Sequence, residues 1–211
     1  MSTVSPASAN GVNRDFLFRR LHTLSGIVPV GMFLLEHLFT NATGTLGASA
    51  YNNAVNAIQH IPFLHFVEFV FIFIPLIYHG VYGLYSAYTS GYNPGQYSYA
   101  RNQLFVWQRI TGVVTFVFII YHLWMTRFSG HMPNFQFVHD LVSNPFNLVF
   151  MIIGVVAATF HLSNGLWSFF VHWGITVGPR AQKVSAVVLL TMFVLLSAMG
   201  IVSLFAFLYG W

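Results

Sequence analysis

Five long apolar stretches constrain this chain more than any other feature of its sequence. They lie at about residues 21–40, 64–88, 104–126, 146–172 and 184–209. Each is near or above the roughly 20 residues that a helix needs to cross a hydrocarbon core. Each is also too continuous for the short alternating strands of a membrane barrel. The sequence therefore predicts an all-α integral membrane protein, with five transmembrane helices in a single membrane domain over residues 1–211.

The composition excludes a water-soluble globular fold. Only 6% of the residues are charged and 56% are hydrophobic, whereas a soluble domain carries about 25% charged residues. The chain has no cysteine, which excludes disulfides, iron–sulfur clusters and thiolate metal sites within it. The excess of eight Lys and Arg over four Asp and Glu is interpreted as charge that sets membrane topology, and not as nucleic-acid binding.

Nearly all the cations fall on one side of the predicted five-helix topology. The residues on that side are Arg14, Arg19, Arg20, Arg101, Arg109, Arg180 and Lys183. Only Arg127 falls on the other side. Cytoplasmic loops carry an excess of Lys and Arg, so the N-terminus is predicted to be cytoplasmic, with residues 1–18 as a tail, and the C-terminus to be outside. The uncharged first loop, 41–63, is predicted to hold a short amphipathic helix at the membrane surface.

Four of the ten histidines lie within the apolar stretches, at two depths. In this topology His37 and His122 share an outer level, and His79 and His161 share an inner level. Ionisable side chains at bilayer depth are costly and usually functional. Because haem iron takes an imidazole on each face, two levels of two imidazoles predict two stacked b-type haems inside a bundle of the first four helices. Histidines that only hydrogen-bond between helices are the alternative.

Small and basic residues are candidates to accommodate these haems. Gly26, Gly83 and Gly165 are predicted to let a flat macrocycle approach the backbone, with ordinary helix packing as the alternative. Gly26 lies eleven residues before His37, almost on the same α-helical face. The candidates to meet haem propionates or a docked soluble partner are Arg19, Arg20, His22, Arg109 and Lys183. Interfacial anchoring is the alternative for these groups and the interpretation for His172.

Four segments carry a resemblance to a known family. They read RRLHTLSGIVPVGMFLLEHL at 19–38, PLIYHGVYGLY at 75–85, GQYSYARNQLFVWQRITG at 95–112 and FHLSNGLWSFFVHWGITVGPR at 160–180. The chain resembles the di-haem cytochrome b (b558-type) membrane anchors of succinate dehydrogenase from Gram-positive bacteria. These are related to the di-haem anchors of menaquinol:fumarate reductases. The resemblance covers nearly the whole chain from about residue 13.

The resemblance implies a role in electron transfer in the bacterial cytoplasmic membrane. By motif, the axial ligands are His37 in LLEHL, His79 in IYHG, His122 in IYHLW and His161 in FHLSNG. The implied partners are a flavoprotein subunit and an iron–sulfur subunit on the cytoplasmic side. Electrons would pass through the inner and then the outer haem to menaquinone, so this chain would carry no dicarboxylate site of its own.

Proton donors near the outer level are candidates to bind the quinone, because quinone reduction consumes protons. These candidates are Glu68, Glu36, Asn52 and Arg127. The direction of turnover stays open, so the anchor of a fumarate reductase is one alternative function. A haem-free membrane scaffold or transporter, in which the histidines only pack helices together, is an alternative from another class.

Overall fold

A computed structural model, which describes residues 14–91 and 100–210, contains five helices long and apolar enough to cross a membrane. The first to fifth spans are Arg14–Leu46, Leu64–Thr89, Ala100–Met125, Pro145–His172 and Pro179–Tyr209. Two short helices, Ala48–Gln59 and Phe135–Val142, lie in the connections after the first and third spans. The predicted all-α membrane fold with five transmembrane helices is confirmed.

Several spans begin before the apolar runs that predicted them. The first span starts at Arg14 and not near residue 21, so residues 14–18 of the predicted tail are helical, while residues 1–13 lie outside the described residues. The third and fifth spans likewise start early, at Ala100 and Pro179. An apolar run marks only the part of a helix inside the hydrocarbon, whereas backbone hydrogen bonding continues through polar residues at the interface.

The first four spans form a closed bundle, and the fifth packs outside it against the first and the fourth. Gly31 is buried where the first span crosses the fourth, since a Cβ there would lie 2.9 Å from Cδ1 of Leu162. Between the fourth and fifth spans, the hydroxyls of Thr159 and Ser197 hydrogen-bond at 2.8 Å. In lipid the hydrophobic effect does not drive helices together. Helices associate instead through close packing at small residues and through interhelical hydrogen bonds.

Alternating helix direction gives the bundle two chemically different ends. The arginine-rich end is the end at which the first, third and fifth spans begin, with Arg14, Arg101 and Arg180. The far end is the opposite one, at which these spans finish and Arg127 lies.

Two of the spans depart from α-helical geometry in their interiors. A π-helical turn runs from Gly26 to Gly31 in the first span, and another from Phe69 to Phe73 in the second. Pro29 lies within the first turn and Pro75 follows the second. Proline lacks the N–H that the helical ladder needs, and π-helical turns occur often at functional sites. The two turns contact each other, so the distortion is shared by neighbouring spans.

The short helices form a packed cap over the far end of the fourth and fifth spans. The side-chain carbonyl of Asn52 accepts a hydrogen bond from the backbone N–H of Phe135 at 2.8 Å. The ring of Tyr51 packs edge-on against Phe207 at 4.8 Å, and burial raises the pKa of Tyr51 to about 12. The buried cluster consists of Tyr51, Val55, Phe135, Val142, Met151, Leu204 and Phe207. The helix predicted in the first loop is thus present as part of this cap.

Candidate functional site

The four histidines within the spans form two pairs. The ring centroids of His37 and His122 lie 5.8 Å apart, with an angle of 80° between the ring planes. Those of His79 and His161 lie 6.0 Å apart, at 81°. These are the pairs that helix depth predicts from the sequence. Their role as iron ligands stays a prediction.

His79 is held by the first span. Its Nδ1 atom lies 2.9 Å from the backbone carbonyl oxygen of His22. A carbonyl only accepts, so Nδ1 carries the proton and Nε2 keeps a lone pair. The ring of His22 stacks on that of His79, with centroids 4.3 Å apart and planes 8° from parallel. This arrangement fixes the tautomer and the orientation of His79, as metal-binding imidazoles require.

His161 has an equivalent arrangement with the third span, which the sequence analysis missed. Its Nδ1 atom lies 3.0 Å from the backbone carbonyl oxygen of Gln108. The side-chain amide of Gln108 donates back to the carbonyl oxygen of His161 at 3.0 Å and accepts from Asn164 at 2.7 Å. A long amide within an apolar span, and an asparagine one turn after His161, are the sequence signals that point to this network.

The His37–His122 pair has different surroundings. The side-chain amide of Asn41 donates to the carbonyl oxygen of His37 at 2.7 Å and lies 3.4 Å from its Nε2 atom. The ring of Phe118 stacks on His122, with centroids 5.3 Å apart. Within residues 14–91 and 100–210, the buried Nδ1 atom of His122 has no hydrogen-bond partner. In this pair, one ring nitrogen of His122 thus makes no hydrogen bond to the described residues.

Two of the predicted glycines lie against histidine side chains near the arginine-rich end. A Cβ atom at Gly26 would overlap Cε1 of His79, and one at Gly83 would lie 3.2 Å from Nε2 of His22. The prediction that Gly26 lies on the same helical face as His37 was wrong. It assumed α-helical spacing between the two residues, whereas a π-helical turn begins at Gly26. These glycines make room for imidazoles in the structure.

Two further glycines surround His161. A Cβ atom at Gly112 would lie 2.9 Å from Cε1 of His161, and one at Gly165 would lie 3.0 Å from the side-chain nitrogen of Gln108. Only Gly165 was a candidate from the sequence. The signal for Gly112 was its position one turn after Gln108, which becomes informative once the network with His161 is known.

The basic candidates at the arginine-rich end divide into engaged and exposed groups. The guanidinium of Arg20 stacks over the ring of Trp173, 4.8 Å from its centroid. Arg109 donates to the hydroxyl of Ser90 at 2.8 Å. The candidates with exposed side chains are Arg19 and Lys183. His22, the fifth candidate, has a buried Nε2 atom with no hydrogen-bond partner in the part of the chain that the structure describes.

The four quinone candidates are not all brought together. Glu68 and Arg127 form an ion pair at 2.8 Å at the far end of the second and third spans. Glu36 accepts a hydrogen bond from the hydroxyl of Thr40 instead. Asn52 is engaged in the far-end cap. The structure thus joins one pair of these residues and leaves the other two in separate environments.

Neither histidine pair is part of a larger ligand cluster. No group of three or more His, Asp or Glu side chains that could hold a metal ion occurs among residues 14–91 and 100–210. Two protein ligands are enough only for a metal that arrives with other ligands of its own, as haem iron does with the four nitrogens of its porphyrin.

Comparisons with known proteins identify the family of this chain. Residues 91–200 match the model of the family described as "Succinate dehydrogenase/Fumarate reductase transmembrane subunit". The chain is also 50% identical over 198 residues to the "Succinate dehydrogenase cytochrome b558 subunit" of Bacillus subtilis (strain 168), a match that covers 92% of this chain and 98% of that protein. The chain belongs to this family of transmembrane subunits.

Membership of the family confirms the resemblance expected from the sequence and identifies the chain as a membrane subunit of a succinate dehydrogenase. The matched segment holds His122, His161 and the Gln108 network. The identity to the Bacillus subtilis protein extends much further along the chain. It is not confined to the third, fourth and fifth spans.

The Gln108 side chain offers a test of how His161 is supported. In Gln108→Leu, the His161 carbonyl loses a donor and Asn164 loses an acceptor, both inside the bundle. The backbone carbonyl of Gln108 still accepts from Nδ1 of His161, so we expect a loss of affinity smaller than the about 10–100-fold that loss of a ring partner costs. We therefore expect haem bound at the His79–His161 pair, the site predicted from the sequence, to dissociate faster, measured as loss of haem absorbance over time in detergent.

Gln103 provides the matched control on the same span, because its side chain is exposed. Gln103→Leu is expected to retain haem as the unmodified protein does. Equal haem retention in Gln108→Leu and Gln103→Leu would contradict a supporting role for Gln108.

Proposed function

We propose that this chain holds two haem b groups, one in each histidine pair, and reduces menaquinone with electrons from succinate. The spacing of the pairs carries the proposal. Metal–imidazole nitrogen bonds are about 2 Å long, so two imidazoles on opposite faces of one iron have ring centroids about 6 Å apart. The observed separations of 5.8 Å and 6.0 Å fit that requirement.

The hydrogen bonding of the His79–His161 pair also fits a metal centre. The Nδ1 atoms of both rings donate to backbone carbonyls, at 2.9 Å and 3.0 Å. Both Nε2 atoms therefore keep a lone pair, and that of His161 lies 3.4 Å from the side-chain nitrogen of Gln108. Carbonyl partners of this kind orient a ligating imidazole and raise its basicity. When bound, each haem supplies a one-electron carrier.

The proposed task of the surrounding residues is to orient the imidazoles and to exclude water. Phe118 stacks on His122, and Phe33 lies 5.6 Å from the ring of His37. Leu162 fills the crossing of the first and fourth spans near His161. An apolar shell of this kind controls solvent access and dielectric, and through them the potential of the centre.

The two ends of the bundle suggest the direction in which electrons cross the membrane. Cytoplasmic loops are rich in Lys and Arg, so we propose that the arginine-rich end faces the cytoplasm and binds the iron–sulfur and flavoprotein subunits. Arg20 on Trp173 and Arg101 on Trp167, at 4.8 Å and 3.8 Å, give that end stacked cationic side chains for docking. Quinone would then be reduced at the far end. The relative is named for succinate dehydrogenase, which favours succinate oxidation over fumarate reduction.

Reduced-minus-oxidised spectra of the purified complex test the proposal. We expect b-type bands and about two haems per chain, since each pair of imidazoles suits one iron. Succinate should reduce these bands, and a menaquinone analogue should reoxidise them. Absence of b-type bands, or a ratio near one haem per chain, would refute the proposed di-haem function.

A further inference from the structure

A groove at the far end of the bundle is lined by neither Glu68 nor Arg127. It has a volume of about 610 Å³ and lies between the third span, the fourth span and the 135–142 helix. Its apolar walls include Trp124, Phe128 and Phe137. Its polar groups include Tyr121, Asp140 and Asn147. The groove is open and mostly apolar with a few polar groups, a lining of the kind that small-molecule sites have.

Two of these polar groups, Tyr121 and Asn147, are joined by a hydrogen bond. The hydroxyl of Tyr121 donates to the side-chain carbonyl of Asn147 at 3.2 Å. The amide nitrogen of Asn147 donates to the backbone carbonyl of Leu141 at 3.0 Å. That nitrogen carries a second N–H, for which the described residues provide no further acceptor. Asn147 is thus a fixed donor able to bind a carbonyl oxygen in the groove.

A chain of aromatic rings connects this groove with the His37–His122 pair. Phe118 stacks on His122 at 5.3 Å and contacts Phe150 at 5.7 Å. Phe150 in turn contacts Tyr121 at 4.8 Å. Gly154 is required for this chain, because a Cβ atom there would overlap the ring of Phe118. The groove is therefore three ring contacts from an imidazole of the histidine pair.

We propose that this groove binds the ring of an isoprenoid quinone, with Asn147 as its hydrogen-bond donor and Tyr121 as the residue that positions Asn147. The inference rests on the proposed function and specifies where the quinone is reduced. Reduction converts two carbonyls of the ring into two hydroxyls, with two electrons from succinate and two protons from water at the groove. Asp140, which is exposed and accepts from Gln136 at 2.7 Å, lies where it can pass those protons to the ring.

Charge complementarity favours a quinone over a phospholipid. Asp140 is the carboxylate among the residues that line the groove, and none of those residues is a lysine or arginine. An anionic phosphate would therefore meet like charge, whereas a neutral ring with carbonyl oxygens would not. The ion pair of Glu68 with Arg127 is the rival site, but there the carboxylate is already neutralised by a guanidinium at 2.8 Å.

The test compares Asn147→Leu and Tyr121→Phe with two reference variants in the purified holo-complex. Tyr209→Phe is the matched control, because Tyr209 is an exposed tyrosine of the far end outside the groove. Glu68→Gln represents the rival site. The measurements are the KM for 2,3-dimethyl-1,4-naphthoquinone, its Kd by equilibrium dialysis, and succinate-dependent reduction of the haem bands.

We expect Asn147→Leu to raise KM and Kd by about tenfold, as loss of a hydrogen bond inside a binding site does. Tyr121→Phe should raise both in the same direction, and Tyr209→Phe should change neither. Values within about twofold of the unmodified complex in both groove variants would overturn the proposal, as would a rise in Glu68→Gln alone. Failure of the proposed function itself is separately visible, because haem bands or their reduction by succinate would then be missing in the unmodified complex.

Discussion

Replacing His79 with alanine is expected to remove one of the two proposed haems and to leave the other in place. Loss of one axial imidazole leaves an iron with a single protein ligand in that pair, while the His37–His122 pair is formed by different residues. His161→Ala should give the same spectrum as His79→Ala. The measurement is the haem-to-chain ratio together with the reduced b-type bands, and we expect the ratio to fall from about two to about one.

His37→Ala and His122→Ala are expected to remove the other haem. His172→Ala is the matched control, because His172 is exposed and its ring nitrogen Nδ1 hydrogen-bonds within its own helix, 2.7 Å from the carbonyl oxygen of Ser168. That variant should keep both haems. If His37→Ala and His79→Ala removed the same haem, the two pairs would not be separate haem sites. The assignment of one haem to each depth would then be wrong.

Helix depth was sufficient to predict which histidines lie together. The apolar runs and the cation asymmetry give each span a direction, and a direction converts residue number into depth. His79 and His161 come out at one level, and the structure places their rings 6.0 Å apart. His172, eleven residues after His161, comes out at the helix end, where the structure has it exposed.

Contacts that depend on helical phase were beyond the sequence argument. Depth tolerates an error of a turn, whereas a side-chain contact requires the correct face. The π-helical turn at Gly26–Gly31 changes the phase within the first span, so the face of Gly26 could not be counted from His37. Gln108 was missed for a related reason, because its importance arises from a backbone carbonyl and an amide that face His161 across a helix contact.

The far end shows the same limit for the quinone candidates. The candidates share one depth in the predicted topology; they are Glu36, Asn52, Glu68 and Arg127. Their side chains nevertheless point to different partners, since only Glu68 and Arg127 meet. Tyr121 and Asn147 were not candidates, because neither carries a charge that makes it conspicuous in a membrane sequence. Their hydrogen bond exists only through the packing of the third span on the fourth.

Substituting Gly26 with alanine is expected to disrupt the His79–His161 pair although both histidines are kept. A Cβ atom at this position would overlap Cε1 of His79. The ring cannot move aside freely, because His22 stacks on it at 4.3 Å and the carbonyl of His22 accepts its Nδ1 proton at 2.9 Å. Overpacking of this kind costs about 1–3 kcal/mol, and misorientation of a metal-binding imidazole adds a further loss of affinity.

We therefore expect Gly26→Ala to lose most of the haem in the pair that contains His79 and to retain the haem of the His37–His122 pair. Haem content and the reduced spectrum of the purified chain measure both effects. Gly91→Ala is the matched control, because no atom of residues 14–91 and 100–210 lies within 4 Å of a Cβ placed there and its backbone conformation is one that alanine adopts. Full haem content in Gly26→Ala would mean that the His79 ring is free to shift, and the first span would then not be what fixes its orientation.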